Sequence, residues 1–297
     1  MMIPRKIGRT LRQFLFENLN RSGNPVSEKP ALSERQVRHW NDKGFLVLPG
    51  FFDVGKTTAL VEEIDKLWQS RQTRENPLVI DVLEGALCGK RIAMRDAPAD
   101  VQHLSHKLND LYLVSEAARS LNLDSKLCLI LTELLEGAPV ICNSLNFVKG
   151  SQQPYHFDTY YMPPPVANKL VVTSICLEDW HSDTGPLSYY PGSHLIPPHV
   201  FSHGGLHAVD AEMPLAKAYI EGELRKRGLK AEEFVGKAGD VFIWHAQLYH
   251  GGRAIANRNL TRRSLVTHYW RAKDLDPNRV AQIGGGYYLI REHQKVD

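Results

Sequence analysis

In the first half of the chain, apolar residues recur at helical spacing. Ser33 and Gln36 form a capping box, and the helix that they begin is expected to end at Gly44. The same spacing predicts three further helices, at residues 53–68, 115–121 and 124–135, and a short strand at 45–48. A single apolar stripe on a helix favours packing against a β-sheet, so we expect these helices to cover one face of a sheet.

Beyond Pro139 the pattern changes to short apolar runs that are separated by turn residues, which predicts strands. The expected strands are residues 140–148, 155–158, 169–177, 241–245 and 263–270. Helices followed by strands indicate an α+β protein in which helices from the N-terminal half buttress one face of a rolled sheet. Residues 20–32 are rich in Asn, Ser, Gly and Pro, so we expect an N-terminal arm and linker at 1–32 and a single domain at 33–297.

Composition and charge narrow the class of protein. Hydrophobic residues make up 43% of the chain and charged residues 23%, values that are typical of a folded globular protein. A net charge of +3 without a dense basic stripe argues against nucleic acid as a partner. The four cysteines stand singly in apolar runs, which favours buried free thiols in a reducing compartment. With no long apolar run and no signal peptide, we expect a cytoplasmic protein.

The first twenty residues hold a basic amphipathic pattern. Ile3, Ile7, Leu11 and Leu15 lie at helical spacing with arginines and a lysine between them. We interpret this segment as an arm that packs on its own barrel or on a partner subunit. A weak contact with a membrane surface through residues 3–19 is the alternative.

The candidate chemistry begins at His156 and Asp158. Side chains that are two positions apart on a strand point the same way, so both can reach one ion while Phe157 faces the opposite side. Two imidazoles and one carboxylate leave coordination positions open, as in non-haem Fe(II) oxygenases. An isolated H-x-D is weak evidence, so the assignment depends on the motifs elsewhere in the chain.

An ordered set of motifs flanks His156 and Asp158. They are DTGPL at 183–187, YPGSH at 190–194, GDVFIWH at 239–245, YHGG at 249–252, Asn259, and RRSLVTHY at 262–269, with TELLEG upstream at 132–137. From about Gln36 to Tyr269, this order resembles the phytanoyl-CoA dioxygenase family of Fe(II)/2-oxoglutarate oxygenases. The resemblance implies a double-stranded β-helix, a jelly-roll or cupin-like barrel, with iron at one mouth.

The same resemblance assigns roles to residues of this chain. It implies that His156, Asp158 and His250 are the iron ligands and that Arg262 binds the distal carboxylate of 2-oxoglutarate. Its guanidinium can hold a carboxylate through two parallel hydrogen bonds, and Ser264 shares its strand face. We expect Ser264, Asn146 and Ser174 to supply further contacts to the co-substrate, although the strand at 171–175 offers only small groups where relatives often place a bulky residue.

Fe(II), 2-oxoglutarate and O₂ are therefore the expected cofactors and co-substrates. The resemblance implies oxidative decarboxylation of 2-oxoglutarate to succinate and CO₂ with hydroxylation of a substrate C–H bond. Asp158 favours hydroxylation over halogenation, since related halogenating enzymes lack this carboxylate. The expected substrate is a small-molecule, lipid-linked or CoA-linked metabolite. The alternatives are a cupin-like metal-dependent isomerase or lyase, which has no need of Arg262, and a catalytically silent barrel that binds a ligand.

The remaining basic residues receive other interpretations. His245 and His250 lie five positions apart and cannot both face inward on a regular strand, so His245 is expected in the sheet rather than at the metal. His268 should face the interior beside Arg262, either near the metal or as a core residue. Arg263 should point the other way as a surface charge. Residues 196–234 form a long insertion, which we expect to act as a lid that determines substrate choice.

Overall fold

A computed structural model describes residues 30–72 and 77–296 of the protein. The predicted helical pattern and the alternative membrane contact of residues 3–19 lie outside these residues. Among the described helices, none combines the length and the apolar character needed to cross a bilayer.

Four of the five α-helices in the described part of the chain follow the predicted apolar spacing. The five are α1 (Glu34–Lys43), α2 (Val54–Gln69), α3 (Glu116–Asn122), α4 (Ser125–Leu135) and α5 (Met213–Lys226). Ser33 caps α1 through the predicted capping box, and Gly44 ends it with a left-handed φ of 80°. The first four helices confirm the sequence prediction, whereas α5 lies in the insertion and was not predicted.

Strands of the described part supply the barrel. They are β1 (Phe45–Leu48), β2 (Val79–Val82), β3 (Arg91–Ala93), β4 (His106–Asn109), β5 (Pro139–Phe147), β6 (Leu170–Cys176), β7 (Leu187–Tyr189), β8 (Glu232–Phe234), β9 (Val241–His245), β10 (His250–Gly252), β11 (Ser264–Arg271), β12 (Val280–Ile283) and β13 (Gly286–Leu289). The larger sheet has the order β1-β9-β6-β11-β5-β4-β2-β3, and the hairpin β12–β13 joins it at β5. The smaller sheet has the order β10-β7-β8.

An apolar layer between the two sheets holds the barrel together. Phe242 of the larger sheet packs against Tyr189 and Phe234 of the smaller one, each with ring centroids 4.9 Å apart. On the opposite face of the larger sheet, Ile141, Ile243 and other apolar side chains pack against α1 to α4. These two layers confirm the double-stranded β-helix with helices from the N-terminal half against one face.

A bulge in β5 determines which of its side chains face the interior. Opposite β11, the register shifts between His268 and Tyr269, so that Cys142 is the extra residue and Asn143 pairs with His268. Before the bulge, Val140 faces the layer between the sheets. After the bulge, Asn143, Leu145 and Phe147 face the interior. Regular alternation from Val140 would turn Asn146 inward, but the bulge turns it outward.

Two sequence expectations about exposure are wrong. Cys88 is exposed, because it lies in the turn between β2 and β3 rather than in a core strand, while the other three cysteines are buried. Arg263 is only 20% exposed at its side chain, and its guanidinium forms ion pairs with Asp65 of α2 and with Glu178. Arg263 therefore joins the helical layer to the start of β11 instead of facing solvent.

Histidines with largely buried rings predict how stability changes with pH. Burial lowers the pKa of His106 from 6.5 to about 4 and that of His245 to about 3. Below pH 6.5 the unfolded chain binds protons that the folded chain does not bind until about pH 4, so stability should fall as the pH falls through this window. We expect the thermal midpoint of metal-free protein to drop between pH 7 and pH 5. The drop should be smaller in His106→Gln, and a flat profile would contradict the assignment of neutral, buried imidazoles.

Candidate metal and co-substrate site

Two histidines present the same ring nitrogen to one point. The Nδ1 atoms of His156 and His250 lie 2.8 Å from the carbonyl oxygen of Pro154 and 2.9 Å from that of Leu248, respectively. A ring whose Nδ1–H donates to a carbonyl has an unprotonated Nε2, which is the atom that binds a metal. The backbones of the two residues also form an antiparallel bridge. The local hydrogen bonds therefore fix both rings with Nε2 available.

Asp158 completes the group, although not through a shared strand. The predicted strand at 155–158 is wrong: His156 makes only an isolated bridge, and Asp158 begins a 3₁₀ turn closed by the Tyr161 N–H. The turn still aims the carboxylate at the histidines. Asp158 Oδ1 lies 3.5 Å from His156 Nε2, and Oδ2 lies 3.7 Å from His250 Nε2.

This cluster has the composition of a metal site. One ligand atom from each of His156, Asp158 and His250 lies within 4.8 Å of the others, and in the described part of the chain no further group of three or more such side chains meets this condition. The histidines at 181, 199, 203 and 207 are thus not brought together as a second site within that part. Two imidazoles and one carboxylate suit Fe(II) and leave positions open for other ligands.

The protonation states suit a cation at neutral pH. Burial of Asp158 would raise its pKa, but the neighbouring His250 and the close ring nitrogens of His156 and His268 hold that pKa well below its usual range. Burial lowers the pKa of His250 to about 4, so its imidazole is neutral at pH 7. An ionised carboxylate beside a neutral imidazole is the state in which both can bind a metal without first losing a proton.

Two further side chains touch Asp158. His268 of β11 faces the interior, as strand parity predicted, with Nε2 3.5 Å from Asp158 Oδ1. Trp244 of β9 donates from its indole Nε1 to Asp158 Oδ2 at 2.8 Å. Sequence reasoning treated Trp244 only as part of a buried strand, and no motif signalled the hydrogen bond. Asp158 Oδ2 thus accepts a hydrogen bond from Trp244, while a ring nitrogen of His268 lies close to Oδ1.

Arg262 lies in the same cavity as the cluster and is a buried cation. The residue is 5% exposed, and its guanidinium carbon stacks 4.4 Å from the centre of the Trp180 ring. Nε and Nη1 have no hydrogen-bond partner among the residues that the structure describes. Burial lowers the pKa of Arg262 to about 10, so the guanidinium remains charged at pH 7. A buried charge without a partner is costly, which makes this arginine a natural anchor for a ligand carboxylate.

The other expected co-substrate contacts fall into two groups. Ser174 lines the cavity with Arg262, and Ser264 has a buried Oγ that finds no partner in the described structure. Asn146 faces away, with its amide donating to the Ser264 carbonyl at 3.0 Å. Trp180, four residues beyond β6, is a bulky residue that packs on the Arg262 guanidinium, but it is not among the described residues that line the cavity. Trp180 lies just before the DTGPL motif, and no local pattern relates it to Arg262.

The cavity around these groups has a volume of about 370 Å³. Its far wall comes from β2 to β4, where Lys107 faces the interior beside the Asp81–Arg91 ion pair, whose closest atoms are 2.6 Å apart. Burial lowers the pKa of Lys107, and the Asp81 carboxylate opposes this change. Sequence reasoning missed this wall because β2 to β4 were not predicted.

The insertion at residues 196–234 does not form the expected lid. Among described residues, those that line the cavity include none from this segment. Instead, Ile220 and Leu224 of α5 pack into an apolar cluster with Phe157 and Tyr249, the neighbours of the metal-site residues. The basic residues at the end of α5 and directly after it are exposed, and Lys226 and Arg227 pair with Glu223. The insertion therefore supports the back of the ligand-bearing segments.

The structure separates His245 from His250 as the sequence predicted. The His245 ring packs towards Trp40 and His194, with ring centroids 6.1 and 5.6 Å away, on the face covered by helices. We expect His245→Ala to retain iron and at least partial 2-oxoglutarate turnover, and His250→Ala to lose both. Metal analysis of the two purified variants decides this, and the opposite pattern would move the third ligand to His245.

A protein-family model matches most of the chain. Residues 40–264 match the model of the phytanoyl-CoA dioxygenase family, a span that includes the metal-site residues and Arg262. None of the curated proteins compared with the chain is similar enough in sequence to count as a relative.

Solved structures with the same fold include enzymes of several kinds. The α-ketoglutarate-dependent carbocyclase SnoK from nogalamycin biosynthesis is 18% identical with a TM-score of 0.59, covering 83% of this chain and 88% of its own. The epimerase SnoN, solved with Fe³⁺, α-ketoglutarate and nogalamycin RO, is 19% identical with a TM-score of 0.59, covering 89% and 100%. EctD from S. alaskensis, solved with 2-oxoglutarate and 5-hydroxyectoine, is 16% identical with a TM-score of 0.59, covering 92% and 89%.

Proposed function

The chain belongs to the phytanoyl-CoA dioxygenase family, and on that premise we propose that it is an Fe(II)- and 2-oxoglutarate-dependent oxygenase that hydroxylates a C–H bond of a small metabolite. His156, Asp158 and His250 would hold the iron. Arg262 would bind the distal carboxylate of 2-oxoglutarate, with Ser264 and Ser174 nearby. Bound iron and 2-oxoglutarate would supply the oxidising chemistry, with release of succinate and CO₂.

One observation carries this proposal: a buried, unpartnered arginine shares a cavity with a two-histidine, one-carboxylate cluster. Nε and Nη1 of Arg262 are buried without a hydrogen-bond partner in the described structure, and no carboxylate among the described residues forms an ion pair with this guanidinium. A planar guanidinium in this state favours a carboxylate that accepts two parallel hydrogen bonds. A cupin-like lyase would need the metal cluster but not this arginine, so the pair supports 2-oxoglutarate as co-substrate.

The chain's own residues would prepare the site rather than carry out the oxidation. The backbone carbonyls of Pro154 and Leu248 orient the two imidazoles, and the neighbouring histidines keep the Asp158 carboxylate ionised. Trp180 covers one face of Arg262 and excludes water from it. Fixed dipoles and charges of this kind stabilise bound ligands without having to reorganise.

Cavity size and chemistry support a compact substrate. A volume of about 370 Å³ is near the lower end for small-molecule sites and must also hold the co-substrate. Its lining mixes apolar side chains such as Met162 and Leu187 with the amides of Asn143, Gln153 and Gln294. A lipid- or CoA-linked substrate would place only its reacting end inside, so a small polar metabolite fits this space better.

Enzymes with this fold catalyse different reactions, so the test must distinguish their products. We propose to measure succinate release by the Fe(II)-loaded protein with 2-oxoglutarate over a panel of metabolites and to record product masses. Hydroxylation adds one oxygen atom, oxidative ring closure removes two hydrogens, and epimerisation leaves the mass unchanged. Substrate conversion without 2-oxoglutarate would instead indicate an isomerase or lyase. Failure to bind 2-oxoglutarate and absence of turnover would indicate a silent ligand-binding barrel.

A further inference from the structure

Trp244 occupies a position that its strand dictates. Within β9, Val241 and Ile243 face the helical layer, while Phe242 and Trp244 face the layer between the sheets. Trp244 is 3% exposed and pairs with Phe45 of β1 on one side and Val172 of β6 on the other. Its backbone is therefore held in the middle of a sheet, and its side chain has little freedom to move.

The indole reaches two of the three metal-site residues. Its Nε1 donates to Asp158 Oδ2 at 2.8 Å, and its ring lies edge-on to His250 with centroids 5.3 Å apart at an angle of 61°. An indole N–H can only donate, and a bond from it to an ionised carboxylate is charge-assisted. Both partners are buried, so water competes little for this hydrogen bond.

The two oxygens of Asp158 consequently have different surroundings. Oδ2 accepts from Trp244, whereas Oδ1 lies 3.5 Å from the Nε2 atoms of both His156 and His268. A rigid donor on one oxygen prevents free rotation of the carboxylate and occupies part of that oxygen's accepting capacity. The carboxylate is thus held in one orientation before any metal binds.

We propose that Trp244 is a positioning residue that makes Asp158 bind the metal through a single oxygen. The inference rests on the proposed metal site. A carboxylate that binds through both oxygens uses two coordination positions, and one that binds through a single oxygen uses one. The proposed site must also bind a bidentate co-substrate and O₂, and a carboxylate that occupies only one coordination position leaves more positions open for them. Trp244 therefore preserves the open positions and also fixes the neighbouring His250 ring.

A second tryptophan of the barrel provides a matched control. Trp270 of β11 is half-buried beside the same apolar layer, and its Nε1 is buried without a hydrogen-bond partner in the described structure. Replacing Trp270 by phenylalanine removes the same indole N–H but breaks no hydrogen bond to a metal-site residue. Any loss common to both replacements therefore reports on packing rather than on Asp158.

The test measures Co(II) affinity, a readout that is independent of turnover. Removing a residue that orients a metal ligand typically lowers metal affinity by about 10- to 100-fold. We expect this loss for Trp244→Phe and no loss for Trp270→Phe. The ligand-field spectrum of bound Co(II) should also change in Trp244→Phe, because release of the carboxylate alters the coordination number. The thermal midpoint of the metal-free protein should fall further in Trp244→Phe, because only this replacement breaks a buried hydrogen bond, so affinities are compared at a temperature at which both variants are folded.

The outcomes distinguish this inference from the proposed function. If wild-type protein binds no Co(II), the proposed metal site fails and the inference fails with it. If wild type binds Co(II) and Trp244→Phe matches it in affinity and spectrum, only the role of Trp244 is overturned. Equal losses in both variants would also overturn it. Should Trp244→Phe not fold, benzothienylalanine at position 244, which keeps the ring shape and replaces N–H by sulfur, makes the same comparison.

Discussion

Replacing Asp158 by alanine is expected to abolish 2-oxoglutarate turnover and to remove most of the thermal stabilisation that a metal confers. Asp158 is the single carboxylate of the cluster, and its burial beside His156 and His250 leaves the rings without an anion if it is removed. Binding to the folded state stabilises it in proportion to the logarithm of metal concentration over Kd, about 2.7 kcal/mol at a hundredfold excess over Kd. A variant whose metal affinity is much lower loses that stabilisation.

The measurement compares thermal midpoints with and without Fe(II) under anaerobic conditions. Asp100→Ala is the control, since Asp100 is an exposed aspartate that does not line the cavity. We expect the control to keep the full metal-dependent shift. An Asp158→Ala protein that keeps both the shift and wild-type iron stoichiometry would contradict the ligand assignment.

Replacing Arg262 by alanine is expected to weaken 2-oxoglutarate binding while iron remains bound. Loss of a charge-assisted contact of this kind costs on the order of 1.5–3 kcal/mol, or roughly ten- to hundredfold in affinity. The guanidinium lies against Trp180 in the cavity and does not touch the metal-site residues, so the metal should be unaffected. Calorimetric titration of 2-oxoglutarate into Ni(II)-loaded protein measures the change.

Arg263→Ala is the matched comparison for that titration. Arg263 is adjacent in sequence but pairs with Asp65 and Glu178 outside the cavity. We expect it to lower stability and to leave 2-oxoglutarate affinity near that of the wild type. A loss of affinity in Arg263→Ala with none in Arg262→Ala would show that Arg263, rather than Arg262, binds the co-substrate.

Local signals in the sequence were sufficient for the helices and the central strands. The capping box at Ser33 and the left-handed Gly44 fix both ends of α1 by interactions within a few residues. The strand at 241–245 was predicted with its observed bounds, because a short apolar run bounded by turn residues favours a buried strand. The order of the motifs along the chain also indicated that four residues form one site: His156, Asp158, His250 and Arg262.

Non-local contacts decided most of the features that the sequence did not reveal. The bulge at Cys142 depends on pairing between β5 and β11, and it alone turns Asn146 away from the cavity. The strand predicted at 155–158 failed for a local reason, because a 3₁₀ turn closed by the Tyr161 N–H begins at Asp158. Trp180 and Trp244 reach Arg262 and Asp158 across the fold, at sequence separations where no local pattern applies. Pairing between distant segments, rather than propensity, places these side chains.

One anaerobic titration tests the central claim most directly. Iron(II) is added to one equivalent per chain, 2-oxoglutarate is added next, and the visible spectrum is recorded for wild type, His250→Ala and Arg262→Ala. Chelation of Fe(II) by the 2-oxo acid produces a charge-transfer band. We predict this band in the wild type at one iron per chain, its absence in His250→Ala, and its appearance only at higher 2-oxoglutarate concentration in Arg262→Ala. No band in the wild type, or an undiminished band in His250→Ala, would contradict an iron and 2-oxoglutarate site built on these residues.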